Sequence, residues 1–306
     1  MKATTFSMKD AEGVDVFVRR WEPDSGAPSA AVQIAHGVSE HSGRYAALAE
    51  RLCSSGYACY ANDHRGHGLT APATGGLGRL GPGGWDAVVR DLALLSDRIR
   101  SDHPGIPLFM AGHSWGSHLA QDYIQRWGSG LAGAALIGST GSQTASVTLF
   151  GPILARLMIL FKGPDATNNL ADKLVFDGYN KPFLAPGVSK SAWISRDPAE
   201  VKAFDDDPDC GFPFSTGMSL EMALAYRRIW REESERRIPK DLPVYIASGT
   251  EDSSNARLVD LKPLVERYRT RLGLSDLTVK YYEGARHCLI HETNRDEVID
   301  DLVAWL

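Results

Sequence analysis

The sequence predicts an α/β protein: a doubly wound, mostly parallel sheet with an inserted helical cap. Three observations predict it. Short apolar runs alternate with helical patterns along most of the chain. The alternation breaks between about Gly141 and Ile238 and then resumes. A serine flanked by glycines, Gly112-His113-Ser114-Trp115-Gly116, sits where an apolar run gives way to a helical pattern.

Taken in order, the chain opens on a polar stretch, Met1 to Gly13, with no apolar core of a signal peptide. Val14 to Arg19 alternates apolar and polar residues, the period of a half-buried strand. Ala30 to Ala35, Tyr57 to Ala61, Leu108 to Ala111 and Ala132 to Ile137 are short apolar segments ending in turn residues. Val244 to Ala247 and Leu277 to Tyr282 continue the series after the gap. Helical patterns lie between them: Arg44 to Ser54, Trp85 to Arg100, Trp115 to Trp127, Ala256 to Leu272 and Asn294 to Leu306. Strand and helix in alternation imply a parallel sheet covered on both faces.

The interruption holds helix-like runs, Leu149 to Phe161 and Leu220 to Arg231, and no strand series. Residues 1–140 and 239–306 are therefore expected to form one core in two parts. Residues 141–238 are expected to form the cap, over the carboxyl ends of the strands where ligands bind in open α/β sheets.

Composition narrows the function. A chain of 306 residues can bury a large core. Its net charge of −5 offers no basic excess for phosphates, so no nucleic-acid partner is expected. Cys53, Cys59, Cys210 and Cys288 lack metal-type spacing and suit a reducing compartment, which predicts a cytoplasmic protein. The longest apolar stretch, Val147 to Phe161, contains Pro152 and Arg156 and is too short to span a bilayer.

The glycine-flanked serine carries the chemistry. Strand, sharp turn and helix form the context of a nucleophile elbow, in which only small residues fit two positions before and after the serine. The elbow leaves the amide of the next residue, Trp115, free at a helix N-terminus to bind an oxyanion. A serine needs a base, and the base needs an orienting carboxylate. Asp252 lies just past the strand Val244 to Ala247, and His287 just past Leu277 to Tyr282. Ser114, Asp252 and His287 thus lie beyond three strand ends, in the order doubly wound hydrolases use. Glu251 competes with Asp252, and His291 with His287. The turn after Ala30 to Ala35 supplies the second oxyanion donor, the Val38 amide beside Gly37. Asp63, His64 and His67 look superficially like a metal site, but their glycines suggest a tight loop and no further ligands accompany them. No Walker loop or dinucleotide fingerprint occurs, so neither metal nor cofactor is expected.

Together these segments resemble the α/β-hydrolase superfamily, in its monoacylglycerol lipase and lysophospholipase-like branch (serine aminopeptidase S33 type). The resemblance rests on His36 to Tyr45, Asp63 to Gly68, Gly112 to Ser117, Ala285 to His287 and the terminal segment from Asn294, and it runs from about residue 10 to 306. It implies a serine hydrolase with Ser114, Asp252 and His287 as triad, Val38 and Trp115 amides as oxyanion donors, and a helical cap shaping an acyl pocket. Two departures stand out. Trp115 occupies a position where that branch usually carries methionine, and Asp252-Ser253-Ser254 lacks the proline and valine common after the acid.

The expected activity is a cofactor-independent carboxylic-ester hydrolase acting on a small-molecule acyl ester such as monoacylglycerol or lysophospholipid, with transient contact to lipid aggregates. Phe150, Ile153, Leu154, Leu157 and Phe161 recur at helical spacing and are expected to line the acyl site; the competing reading is that they pack on the core. A small-ester esterase or acyltransferase would use the same triad. A non-catalytic binding module of the same fold is disfavoured, because no triad member is missing.

Overall fold

The computed structural model describes residues 1–141, 145–167 and 176–306. Residues 142–144 and 168–175, within the expected cap, lie outside the described residues. Eight strands form one sheet: β1 (Lys2–Lys9), β2 (Asp15–Glu22), β3 (Ala30–Ala35), β4 (Tyr57–Asn62), β5 (Leu108–His113), β6 (Gly133–Ile137), β7 (Val244–Gly249) and β8 (Leu277–Tyr282). Their order is β1-β2-β4-β3-β5-β6-β7-β8. β2 runs antiparallel to both neighbours, and every other pairing is parallel. β3, β6 and β7 are buried along their whole length, which is why they read as unbroken apolar runs.

The first strand departs from the sequence reading. Its residues, Lys-Ala-Thr-Thr-Phe-Ser-Met-Lys, bury only Met8, so no apolar period marks it. β1 is an edge strand held by pairing with β2 from Lys2–Glu22 to Lys9–Asp15. Its two lysines and open polar face suit an edge that must not recruit another chain.

Two apolar layers flank the sheet. On one face lie α2 (Gly84–Asp102) and α3 (Trp115–Trp127), through Trp85, Val88, Leu92, Leu119, Tyr123 and Ile124. On the other lie α1 (Ala46–Ser54) and the carboxyl-terminal helix Arg295–Trp305, through Leu48, Leu52, Val298 and Leu302. Between β6 and β7 come α4 (Ala145–Lys162), α5 (Pro198–Asp206) and α6 (Thr216–Ile229). Among the described residues this segment adds no strand to the sheet; Thr167 and Ser215 form an isolated antiparallel bridge. α6 shares the first apolar layer through Met218, Tyr226 and Ile229, so the segment is packed into the core and not hung from it.

The expected helix from Ala256 to Leu272 starts late. Ala256, Arg257 and Leu258 adopt left-handed φ of 53°, 54° and 71°, where a helix cannot begin. Asn255 holds that turn by accepting from the Leu258 amide at 2.8 Å. Regular α-helix covers only Lys262–Glu266, with Pro263 in its first turn, and continues as a π-helix over Arg267–Leu272.

Candidate active site

Ser114, between β5 and α3, has φ 52° and ψ −121°, a conformation that a residue with a Cβ rarely adopts. The surroundings hold it there. Its amide donates to Ile137 O at the end of β6, at 2.9 Å. A Cβ on Gly112 would lie 2.4 Å from Gly116 O, and one on Gly116 only 2.1 Å from Ala35 O. The two glycines let α3 start hard against β3 and β5. The turn therefore projects the serine hydroxyl above the sheet edge.

Ser114 Oγ lies 2.7 Å from His287 Nε2. The other ring nitrogen, Nδ1, lies 3.1 and 3.0 Å from the two Asp252 oxygens. Asp252 is fully buried and held in place: Oδ1 accepts from the Ser254 amide and hydroxyl at 2.9 and 2.7 Å, and Oδ2 from Asn255 Nδ2 at 3.3 Å. The loop carrying His287 is pinned by Cys288 N donating to Ile194 O at 2.7 Å, and the Trp193 ring stands 4.8 Å from the imidazole. The competing residues face elsewhere. Glu251 pairs with Arg257 at the surface at 2.9 Å, and His291 Nδ1 meets Glu200 at 2.9 Å. Hydroxyl, imidazole and carboxylate in line can move a proton off the serine and stabilise the imidazolium that results.

Val38 follows β3 and faces the same space as Ser114. Among the described residues, neither the Val38 nor the Trp115 amide donates to a protein acceptor. The loop is braced by Glu40, to which sequence reasoning assigned no role. Its carboxylate accepts from the Gly37 amide at 2.6 Å, Tyr45 Oη at 2.8 Å and Arg44 Nε at 2.9 Å, and lies 3.2 Å from His113 Nδ1. Burial alone would raise the Glu40 carboxyl, but His113 and Arg44 overcome it and hold it well below the usual carboxylate range. The usable signal was spacing: Glu40 comes three residues after Gly37, and two of the side chains it meets, Arg44 and Tyr45, follow within five residues; His113 comes from a distant part of the chain.

Trp115 turns its indole into the core, stacked on His67 at 5.1 Å and edge-on to Trp85 at 5.9 Å. Burial holds the neighbouring His64 well below its ordinary value and pushes His67 down to about 3. Asp63 ties loops together, with Oδ1 accepting from the Ser42 amide at 2.8 Å and Oδ2 from the Leu69 amide at 2.8 Å. Asp63, His64 and His67 do not converge on one point; the described residues gather three ligand-type side chains only at His41, Asp207 and Cys210. There His41 Nδ1 accepts from the Gly43 amide at 3.1 Å, so Nε2 carries the proton and donates to Asp207 at 2.9 Å. That tautomer leaves no lone pair for a metal.

Two cavities of about 310 and 160 Å³ open beside the serine, and Val38, Ser114, Phe176, Trp193 and His287 line both. Phe204 and Pro213 also line the larger. Tyr179, Met222 and Tyr226 also line the smaller. The five α4 residues expected at the acyl site line neither. Phe150, Ile153, Leu154, Leu157 and Phe161 are 66, 54, 54, 49 and 81 % exposed. α4 is apolar on nearly every side, so periodicity could not say which face turns inward. Among the residues whose burial is described, the helix buries Pro152 and Ala155, leaves Met158 and Ile159 half-buried and turns Phe150, Ile153, Leu154, Leu157, Leu160 and Phe161 outward.

The profile of the family described as serine aminopeptidase, S33, matches residues 26–294. Human monoglyceride lipase is 30 % identical over 305 residues, covering 97 % of this chain and 88 % of that protein. The monoacylglycerol lipase of Mycolicibacterium smegmatis is 28 % identical, covering 96 % and 93 %. A solved carboxyl esterase from Bacillus coagulans, in complex with glycerol, superposes with a TM-score of 0.89 at 27 % identity, over 100 % of this chain and 98 % of that one. A family match over most of the length, on this sheet order, makes the chain a member of the serine aminopeptidase S33 family of α/β-hydrolases and a carboxylic-ester hydrolase.

Proposed function

We propose that the chain hydrolyses monoacylglycerol or lysophospholipid through an acyl-enzyme on Ser114. The hydrogen-bonded line Ser114–His287–Asp252, opening on the larger cavity, carries the reading. His287 takes the Ser114 proton as the hydroxyl attacks the ester carbonyl. The Val38 and Trp115 amides stabilise the tetrahedral oxyanion. His287 then protonates the leaving alcohol and activates the water that releases the acid. Residues 141–238 act as the cap that shapes the acyl site. The aromatic and aliphatic walls of both cavities, and the names of the lipase relatives, support an acyl substrate.

The outer face of α4 supports transient contact with lipid aggregates, where such substrates reside. Among the described residues no helix is long and apolar enough to cross a membrane. The cysteines, all free, are in keeping with a reducing compartment such as the cytoplasm. A small-ester esterase is the second reading, favoured by the fit to the Bacillus coagulans carboxyl esterase and by the outward turn of α4.

One series tests both. Rates on p-nitrophenyl esters of increasing acyl length, then on monoacylglycerols and lysophospholipids, are measured alongside fluorophosphonate labelling. Labelling at Ser114 with kcat/KM rising along the series is the expected result. A maximum at acetate with no turnover of lipid esters selects the small-ester reading, and absence of labelling overturns both.

A further inference from the structure

Asp252 is not the only group beside the inner nitrogen of His287. Ser254, two residues on, lies 2.9 Å from Nδ1 through its Oγ and donates that hydroxyl to Asp252 Oδ1 at 2.7 Å. Its own amide bonds the same carboxylate oxygen at 2.9 Å, which fixes the serine against the acid. The proton count sets the direction of each bond. Nδ1 has one hydrogen, shared between the carboxylate and the serine oxygen. The hydroxyl has one hydrogen, and the carboxylate is its acceptor. The O–H dipole is thereby locked, with its negative end toward the imidazole and its positive end toward the carboxylate. That orientation favours a positive ring over a neutral one.

We propose that Ser254 is a positioning residue for ester hydrolysis: it bridges Asp252 and His287, holds the imidazole tautomer that leaves Nε2 free for Ser114, and stabilises the imidazolium formed as the serine attacks. The proposal rests on the Ser114–His287–Asp252 reading. Other titratable groups face this pair: His113 from the end of β5, with rings 5.0 Å apart; His118 from α3; Cys288 next in the chain; Glu40 behind His113; and Tyr179 toward Asp252. A change confined to residue 254 replaces none of them.

The test uses the full chain and a soluble p-nitrophenyl ester. Ser254→Ala, Ser254→Thr and Asp252→Asn are compared by kcat, KM and pH profile, with melting temperature recorded. Ser254→Ala should lower kcat by about tenfold, the scale of losing one hydrogen bond to a charged group. Its KM should stay within about twofold, because the loss falls on the transition state. The acid limb of kcat/KM should move to lower pH, because the variant loses a group that favours the charged ring. Ser254→Thr, which keeps the hydroxyl, should restore both rate and profile. An unmoved acid limb with unchanged kcat in Ser254→Ala overturns the role, as does a loss that threonine does not repair. If Asp252→Asn is damaging while Ser254→Ala is silent, only the serine's role falls. If Asp252→Asn is itself silent, the triad reading falls and takes the serine with it.

Discussion

Ser114 depends on two backbone facts, a strained turn and two glycines with no room for a Cβ, and on one side chain, an imidazole 2.7 Å away. Replacing the hydroxyl removes the proposed nucleophile and none of those supports. Ser114→Ala is expected to fold normally and lose ester hydrolysis on the order of a million-fold, leaving the weak catalysis of the oxyanion site. Circular dichroism and a burst-free rate assay check both halves. The acid makes a sharper comparison. Asp252 is enclosed and faces His287, whereas Glu251 pairs with Arg257 at the surface. Asp252→Asn should cost several orders of magnitude in kcat, and Glu251→Gln less than about twofold. Equal losses would mean that the wrong carboxylate had been assigned. Most of this was legible, because Ser114, Asp252 and His287 each follow a strand end and the strands show as apolar runs. The sequence also placed Asp252 ahead of Glu251; the physical reason lies in the loop geometry, which sets Asp252 against His287 and Glu251 against Arg257. Ser254 was not legible, since its role exists only where two loops meet.

Among the elements, α4 shows how far periodicity reaches. Its position and helical state were evident from the sequence, but its orientation was not. A helix apolar all round satisfies any inward face, and tertiary packing buried Pro152 and Ala155. The exposed Leu157, Leu160 and Phe161 give its carboxyl end an outward apolar surface. Leu157→Ser with Phe161→Ser should therefore leave melting temperature and soluble-ester turnover near the starting values. Binding to phosphatidylcholine vesicles should weaken at least tenfold, since each fully inserted side chain is worth about 1.5–3 kcal/mol. Sedimentation with vesicles reads the effect. Equal binding by the double variant would remove α4 from the lipid contact. β1 was missed for the opposite reason: an edge strand made by backbone pairing alone carries no apolar period.

At the scale of the whole molecule, burial sets the response to pH. Burial keeps His64 well below its ordinary value and pushes His67 and His118 to about 3. Each is neutral in the folded chain, while the unfolded chain takes up protons near pH 6.5. Between those values the unfolded state binds more protons, so stability falls as the pH is lowered from about 6.5 toward 3. His113 works the other way. Burial pulls it down, but Cys288 and Glu40 prevail and raise it to about 9. Its contribution is complete below about 6.5 and is lost as the pH rises through about 9. Urea midpoints measured across this range should pass through a maximum between the two limits. A midpoint still climbing at pH 4 would contradict the burial of these rings.

The guanidinium of Arg65 sits in the loop before the candidate site with no solvent access at all. Asp91 in α2 meets it at 2.8 Å, but its other carboxylates, Asp10 and Glu12, belong to the turn joining β1 to β2. The opening hairpin is thus a stopper for an enclosed cation, although none of its residues lines the cavities beside Ser114. Trimming residues 1–13 would uncork that charge, removing Asp10 and Glu12 and leaving Asp91 as its carboxylate. A trimmed chain should therefore melt far earlier than a chain altered at any exposed loop tip. Genetic fusions at the amino end are best joined ahead of β1, with the hairpin left whole.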